Sequence, residues 1–164
     1  MSSFATVRTP VGVIGVAGDG EAITRVTWPS GRLSVDAEPA DPLLGEALAQ
    51  LRAYFAGRLT VFDMPIDLGT QGEASRAVLN ALHATVAHGE TVTYGELARR
   101  SGTTVPARAI GSIMGANPIP IIVPCHRVVA SDGLGGYSGG PPGEGLLTKR
   151  WLLEHEGFLP AAMF

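Results

Sequence analysis

The order in which two hydrophobic periodicities follow one another constrains this chain more than any other feature. Apolar and polar residues alternate in three short runs near the start, FATVRT (4–9), VGVIGVA (11–17) and AITRVTW (22–28), broken by Pro10 and the turn GDGE. Such alternation sends successive side chains to opposite faces, so these runs predict a small antiparallel meander. Further on the spacing lengthens: Leu44, Leu48, Leu51 and Phe55 form the stripe of an amphipathic helix, which Gly57 ends. Strands gathered at one end with helices after them predict an α+β fold. Between them, SGRLSVDAEPADP (30–42) has turn formers and acids without a period and predicts a surface loop. LTVFDMPIDL (59–68) predicts a strand, with Pro65 marking an edge or an end.

A second part opens at TQGE, where Thr70 predicts a helix cap with Glu73 as its capping-box partner. Ala74, Val78, Leu82 and Val86 mark one face of that helix, and Gly89 closes it. His83 and His88 do not share a face and predict surface or internally satisfied histidines, not metal ligands. TYGE (93–96) repeats the capping box and starts the short helix YGELARRSG. After GTT follows a second helix, PARAIGSIMGANP, which must end before Pro118. Helix, glycine turn, helix is the pattern of a helix-turn-helix, shared with many helix pairs that never touch DNA. The second helix is nearly bald, with Ala107, Ala109, Gly111, Ser112, Gly115 and Ala116. Glycine costs roughly 1 kcal/mol against alanine inside a helix, so this baldness needs a reason. Either a neighbour packs tightly on it with Arg108 in solvent, or the helix enters a groove carrying Arg108.

The run IPIIVPCHRVV (119–129) predicts a further strand and contains the only cysteine. A glycine-rich loop, SDGLGGYSGGPPGEG (131–145), leads to a last helix, LLTKRWLLEHEG, with Leu147, Trp151 and Glu154 on one line and Gly157 as its C-cap. On a strand Cys125 and His126 face opposite ways unless the backbone turns. A thiol reacts as thiolate, and from an ordinary pKa of about 8.5 it needs a base or a positive field. His126 supplies the base through one water if an acid orients its ring. The alternative is a buried cysteine closing a core strand.

Composition sets the outer limits. The 164 residues, 45% of them hydrophobic, suffice for one average domain or two small ones. A single cysteine forms no internal disulfide and, with four scattered histidines, gives no zinc-site spacing. No apolar window approaches the roughly 18 residues of a membrane span, and MSSFATVRTP lacks a signal core, so the expected compartment is the cytoplasm. The net charge of −3 gives no global reason to expect nucleic acid. The deficit sits early, however: residues 1–70 carry 5 basic and 8 acidic side chains and residues 71–164 carry 7 of each.

The signature PCHRV (124–128) changes the weight of these alternatives. Together with GETVTYGELA, ARAIGSIMGANPIPIIVPCHRVV, GGYSGG and KRWLLEHEG, in this order over about residues 70–158, it resembles the O6-alkylguanine-DNA alkyltransferases. The resemblance implies a small N-terminal sheet with a flanking helix, ribonuclease H-like, over 1–69. Over 70–164 it implies a mostly helical, winged-helix-like domain with a helix-turn-helix and an active-site strand. It implies a monomeric, single-turnover repair protein that binds duplex DNA in the minor groove and flips O6-alkylguanine, or O4-alkylthymine. The alkyl group then moves onto Cys125. The implied relay is Cys125, a water, His126 and Glu156, with Asn117 as the hinge before the active-site strand. Arg108 matches the finger that replaces the flipped base, and Tyr94 the tyrosine that crowds the phosphate. Ala107, Gly111 and Met114 match DNA-contacting positions of the second helix. Tyr137, Ser138 and Gly139 match the guanine-binding loop, and Val128 a pocket-lining position. Arg127 is assigned a structural ion pair or hydrogen bond. No cofactor, metal or membrane is implied.

Three departures stand out. Residues 1–69 contain no cysteine, so the zinc found in some members is not expected here. Gly115 and Ala116 stand where many relatives carry a basic residue. PPGEGLLT (141–148) makes the link to the last helix longer than the family's usual one and bears on both alkyl preference and the placement of Glu156. Two rival functions follow: a damage-binding module without transfer, and a cysteine hydrolase with a Cys-His-Glu triad.

Overall fold

The first chain reversal is set by Thr9, whose hydroxyl donates to the Gly12 carbonyl at 2.7 Å and accepts from the Val11 amide at 3.1 Å. It joins β1 (Ser3–Thr9) to β2 (Gly12–Gly18), which pairs on its other side with β3 (Ile23–Thr27), all antiparallel. This is the meander that the alternation predicts. The computed structural model describes residues 3–29 and 41–158, and the chain divides into two compact units, Met1–Gly69 and Thr70–Phe164.

In the first unit, helix α1 (Pro42–Phe55) lies against the sheet. It begins earlier than the sequence predicts, because the Asp41 carboxylate accepts from the Leu43 amide and Pro42 occupies the first turn, where no amide is needed. The rest of the expected 30–42 loop lies outside the described residues. Leu44, Leu48 and Leu51 are fully buried on its inner face, each contributing about 1.5–3 kcal/mol.

Residues 59–68 do not form the expected strand. Only Ile66 bridges to Ile23, through Ile23 N–H to Pro65 O and Asp67 N–H to Ile23 O, both 2.9 Å. The buried side chain of Gln50 takes over the rest. Its amide nitrogen donates to the Asp63 carbonyl and its oxygen accepts from the Asp63 amide, again at 2.9 Å, so a side chain substitutes for a neighbouring strand.

The second unit is built from α2 (Glu73–Thr85), α3 (Tyr94–Ser101), α4 (Ala107–Gly115) and α5 (Gly145–His155). α2 starts at Gly72 without a side-chain cap, so Thr70 does not act as one. It ends at Thr85, where Val86 turns extended, ahead of Gly89. Thr93 does cap α3, accepting from the Glu96 amide at 3.1 Å, while the Glu96 carboxylate pairs with Arg99 and Arg100. α3 and α4 pack on each other and on α2, with Ile110 and Met114 as the buried face of the bald helix.

Residues 119–129 depart most from expectation. The apolar run is not a strand but a tight loop followed by a 3-10 turn, Cys125–Arg127, and a two-residue strand β5 (Val128–Val129) parallel to β4 (Val92–Thr93). Pro118, Pro120 and Pro124 remove the amide donors that a ladder would need. Buried Ile121 sits at φ 74°, a left-handed conformation that a β-branched residue adopts only under constraint. Part of that constraint is visible: the Val123 amide donates to the Ile119 carbonyl at 2.9 Å, closing the loop.

The last helix turns a different face inward from the one expected. Leu147 is 64% exposed, and the buried stripe is Thr148, Lys149, Leu152 and Leu153, continued by Glu156 at the C-cap. Gly157 follows at φ 83°, with its own amide bonded to the Glu154 carbonyl and that of Phe158 to the Leu153 carbonyl. This paired arrangement ends the helix sharply and fixes the backbone just after Glu156. Among the described residues no helix is long and apolar enough to cross a membrane.

Candidate active site

The 3-10 turn solves the orientation problem that a strand would create, because neighbouring residues in such a turn no longer face opposite ways. Asn117 braces the approach to it. Its Oδ1 accepts from the Ile119 amide at 3.0 Å, and its Nδ2 donates to the Val123 carbonyl at 2.8 Å, which also receives the Cys125 amide at 2.8 Å.

Cys125 lines a cavity of about 370 Å³ together with Tyr94, Gly111, Met114, Tyr137 and Ser138. Gly115 and Gly136 complete the lining, and neither was singled out as a pocket residue from sequence. The glycine-rich loop approaches closely here. At Gly135, with φ 72°, a Cβ would come within 2.6 Å of the Tyr94 hydroxyl, so only glycine fits. Ser138 ties the loop to α4 by donating to the Gly115 carbonyl at 3.3 Å.

Several expected positions lie elsewhere. Val128 is buried in β5 and does not line the cavity. Gly139 lines a neighbouring groove instead. Ala107 and Arg108 are exposed at the start of α4, outside the cavity.

His126, Arg127 and Glu156 form a buried cluster. Glu156 Oε2 lies 2.8 Å from His126 Nε2, while the Arg127 guanidinium donates to Oε1 at 2.8 Å and Oε2 at 3.1 Å. A further bond anchors Arg127 to the Val86 carbonyl at 2.9 Å. Burial pushes the Glu156 carboxyl upward, but the contacts from His126 and Arg127 outweigh it and hold the group well below the usual carboxylate range. Burial likewise drives the His126 imidazole below its ordinary value, against the pull of Glu156. A neutral ring facing an ionised carboxylate must carry its proton on Nε2. Nδ1 is then an acceptor, and it is buried with no hydrogen-bond partner among the described residues.

Lys149 was not foreseen. Its ammonium is fully buried and donates to the Val128 carbonyl at 2.7 Å and the Gly136 carbonyl at 3.0 Å. Burial lowers its pKa to about 8, opposed by Cys125 when its sulfur is ionised. The available signal was its spacing: Lys149, Leu152, Leu153 and Glu156 follow the three-four rhythm of a single helix face. Burial raises the Cys125 thiol to about 11, with a hydrogen bond from Asn117 and the Lys149 charge pulling it back. At neutral pH the resting group is therefore the thiol.

Comparison with known proteins identifies the family. Residues 3–68 match the 6-O-methylguanine DNA methyltransferase ribonuclease-like domain, and residues 73–158 match the DNA binding domain of the same name. A methylated-DNA–protein-cysteine methyltransferase from Methanosarcina acetivorans is 39% identical over 94% of this chain and 97% of its own. One from Mycobacterium tuberculosis is 41% identical over 95% and 93%. The crystal structure of the M. tuberculosis O6-methylguanine methyltransferase superposes with a TM-score of 0.81 at 39% identity, covering 98% of this chain and 96% of the other. The same relative in complex with DNA gives a TM-score of 0.79. By sequence over both units and by fold, this chain belongs to the 6-O-methylguanine DNA methyltransferase family.

Proposed function

We propose that this protein repairs DNA by direct reversal, moving the alkyl group of O6-alkylguanine irreversibly onto Cys125. One observation carries the reading: the chain's only thiol lines a base-sized cavity next in sequence to a buried imidazole whose free acceptor, Nδ1, is fixed by Glu156. Such a cavity, about 370 Å³, falls in the range of small-molecule sites. The partner is duplex DNA, bound in the minor groove through α3 and α4. The working compartment is the cytoplasm, and the protein acts as a monomer without cofactor.

The chemistry must reconcile a nucleophile with a thiol held up at about 11. In the reaction the S–H bond breaks and its proton passes through a water to His126 Nδ1. The imidazolium so formed is stabilised by Glu156, which Arg127 holds in place. Sulfur takes the alkyl carbon, the carbon–O6 bond breaks, and its electron pair stays on the purine. The proton taken from the thiol and held on His126 is the one that finally neutralises the departing guanine, with Ser138 at O6 and Tyr94 and Tyr137 walling the base. Lys149 adds a positive field while the thiolate forms. The product thioether is stable to water, so each molecule acts once.

Two rivals give different results with excess substrate. Product should rise to one equivalent of protein and stop. Continued turnover of an ester or amide would favour a hydrolase, and DNA binding without product would leave a damage-binding module.

Arg108, exposed at the start of α4, serves the duplex and not the bond-breaking step. Holding a base out of the stack costs a few kcal/mol, and each 1.4 kcal/mol is about tenfold in rate. Arg108→Ala should therefore slow transfer from duplex O6-methylguanine by about tenfold to a hundredfold and leave the reaction with free O6-benzylguanine nearly unchanged. Equal loss in single-turnover rates on both substrates would refute this assignment.

A further inference from the structure

The end of α2 grips the chain on both sides of Cys125. His83 Nδ1 lies 3.2 Å from the carbonyl oxygen of Ile122, three residues before the nucleophile. The Val86 carbonyl, one helical turn after His83, accepts from the Arg127 guanidinium at 2.9 Å, two residues after the nucleophile. A carbonyl only accepts, so the proton of the first contact sits on the His83 ring. His83 does not line the cavity and takes no part in the proton transfer, so its contact with Ile122 has another use.

The segment that His83 touches is the one that needs holding. Ile121, directly before the bonded carbonyl, is the left-handed residue at φ 74°, and a β-branched residue keeps such a conformation only where its surroundings fix it. Asn117 fixes the loop at the Ile119 amide and the Val123 carbonyl, and the Val123 amide closes it on the Ile119 carbonyl. Those bonds shape the loop from within. The bond from His83 instead ties it to a helix 39 residues earlier in the chain, anchored by buried Val78, Leu79 and Leu82.

We propose that His83 is a positioning residue for alkyl transfer: by donating from Nδ1 to the Ile122 carbonyl it fixes the loop that aims the Cys125 sulfur into the cavity. This rests on the reading of Cys125 as the alkyl acceptor. A small misplacement of a reacting atom costs rate. It does not cost binding here, because the cavity wall other than Cys125 comes from α3, α4 and the glycine loop.

Single-turnover alkylation by free O6-benzylguanine, followed over a concentration series, tests this with His83→Leu and His83→Asn. Leucine keeps the bulk without a donor, whereas the asparagine amide nitrogen takes the place of Nδ1. His83 is exposed, so neither change empties the core. His83→Leu should lower the saturating rate by about threefold to tenfold, the worth of one hydrogen bond, with the half-saturating concentration within about twofold of wild type. His83→Asn should return to within about twofold of the wild-type rate. A wild-type rate in the leucine variant would show the contact to be idle, and equal losses in both variants would show that bulk or stability matters and the donor does not. A rise in the half-saturating concentration alone would place the effect on base binding. Each of these outcomes overturns the positioning role. Failure of the wild type to alkylate Cys125 at all would instead overturn the function on which it rests.

Discussion

Glu156→Gln should slow alkyl transfer by about 100-fold to 10,000-fold, the range that positioned acid–base catalysis supplies. The size of the effect follows from what the carboxylate does. As an acceptor only, it fixes the His126 proton on Nε2 and leaves Nδ1 free to take the thiol proton. An amide in its place can donate to Nε2, which moves the proton to Nδ1 and removes the base. It also leaves the Arg127 guanidinium buried without its carboxylate counter-charge, with the Val86 carbonyl and one amide oxygen as its acceptors. Removing one member of a buried ion pair costs about 3–5 kcal/mol, so the variant should also unfold at a clearly lower denaturant concentration. A variant with lowered stability but an unchanged single-turnover rate would separate the two effects and remove Glu156 from the relay.

The second large effect is total. Cys125→Ser should bind duplex DNA with wild-type affinity at the same salt concentration and transfer no alkyl group. Burial already raises the thiol to about 11, and a hydroxyl in the same place is a far weaker acid and nucleophile. Gel-shift binding combined with transfer of a labelled methyl group distinguishes loss of chemistry from loss of fold. Residual transfer by this variant would mean that another side chain is the acceptor.

The meander and α1 were legible because each repeats its period over enough residues to dominate local chemistry. Residues 119–129 were not, because a continuous apolar run shows burial without showing conformation, and three prolines decided against a ladder. Residues 59–68 failed for another reason: Gln50, distant in sequence, supplies the hydrogen bonds that a neighbouring strand would have made. Cys125, His126 and Glu156 could be named from their family pattern, yet the tautomer of His126 needed the 2.8 Å contact. Lys149 reads as a solvated residue by type. Its burial depends on carbonyls of Val128 and Gly136 that only the folded chain brings to it.

The central claim is that Cys125 keeps the alkyl group, and intact-protein mass after incubation with duplex DNA containing O6-methylguanine tests it most directly. The predicted result is one methyl-sized gain per molecule, mapped by peptide analysis to Cys125 and persisting after the DNA is removed. An unchanged mass with the lesion gone, or a gain mapped to any other residue, would contradict it.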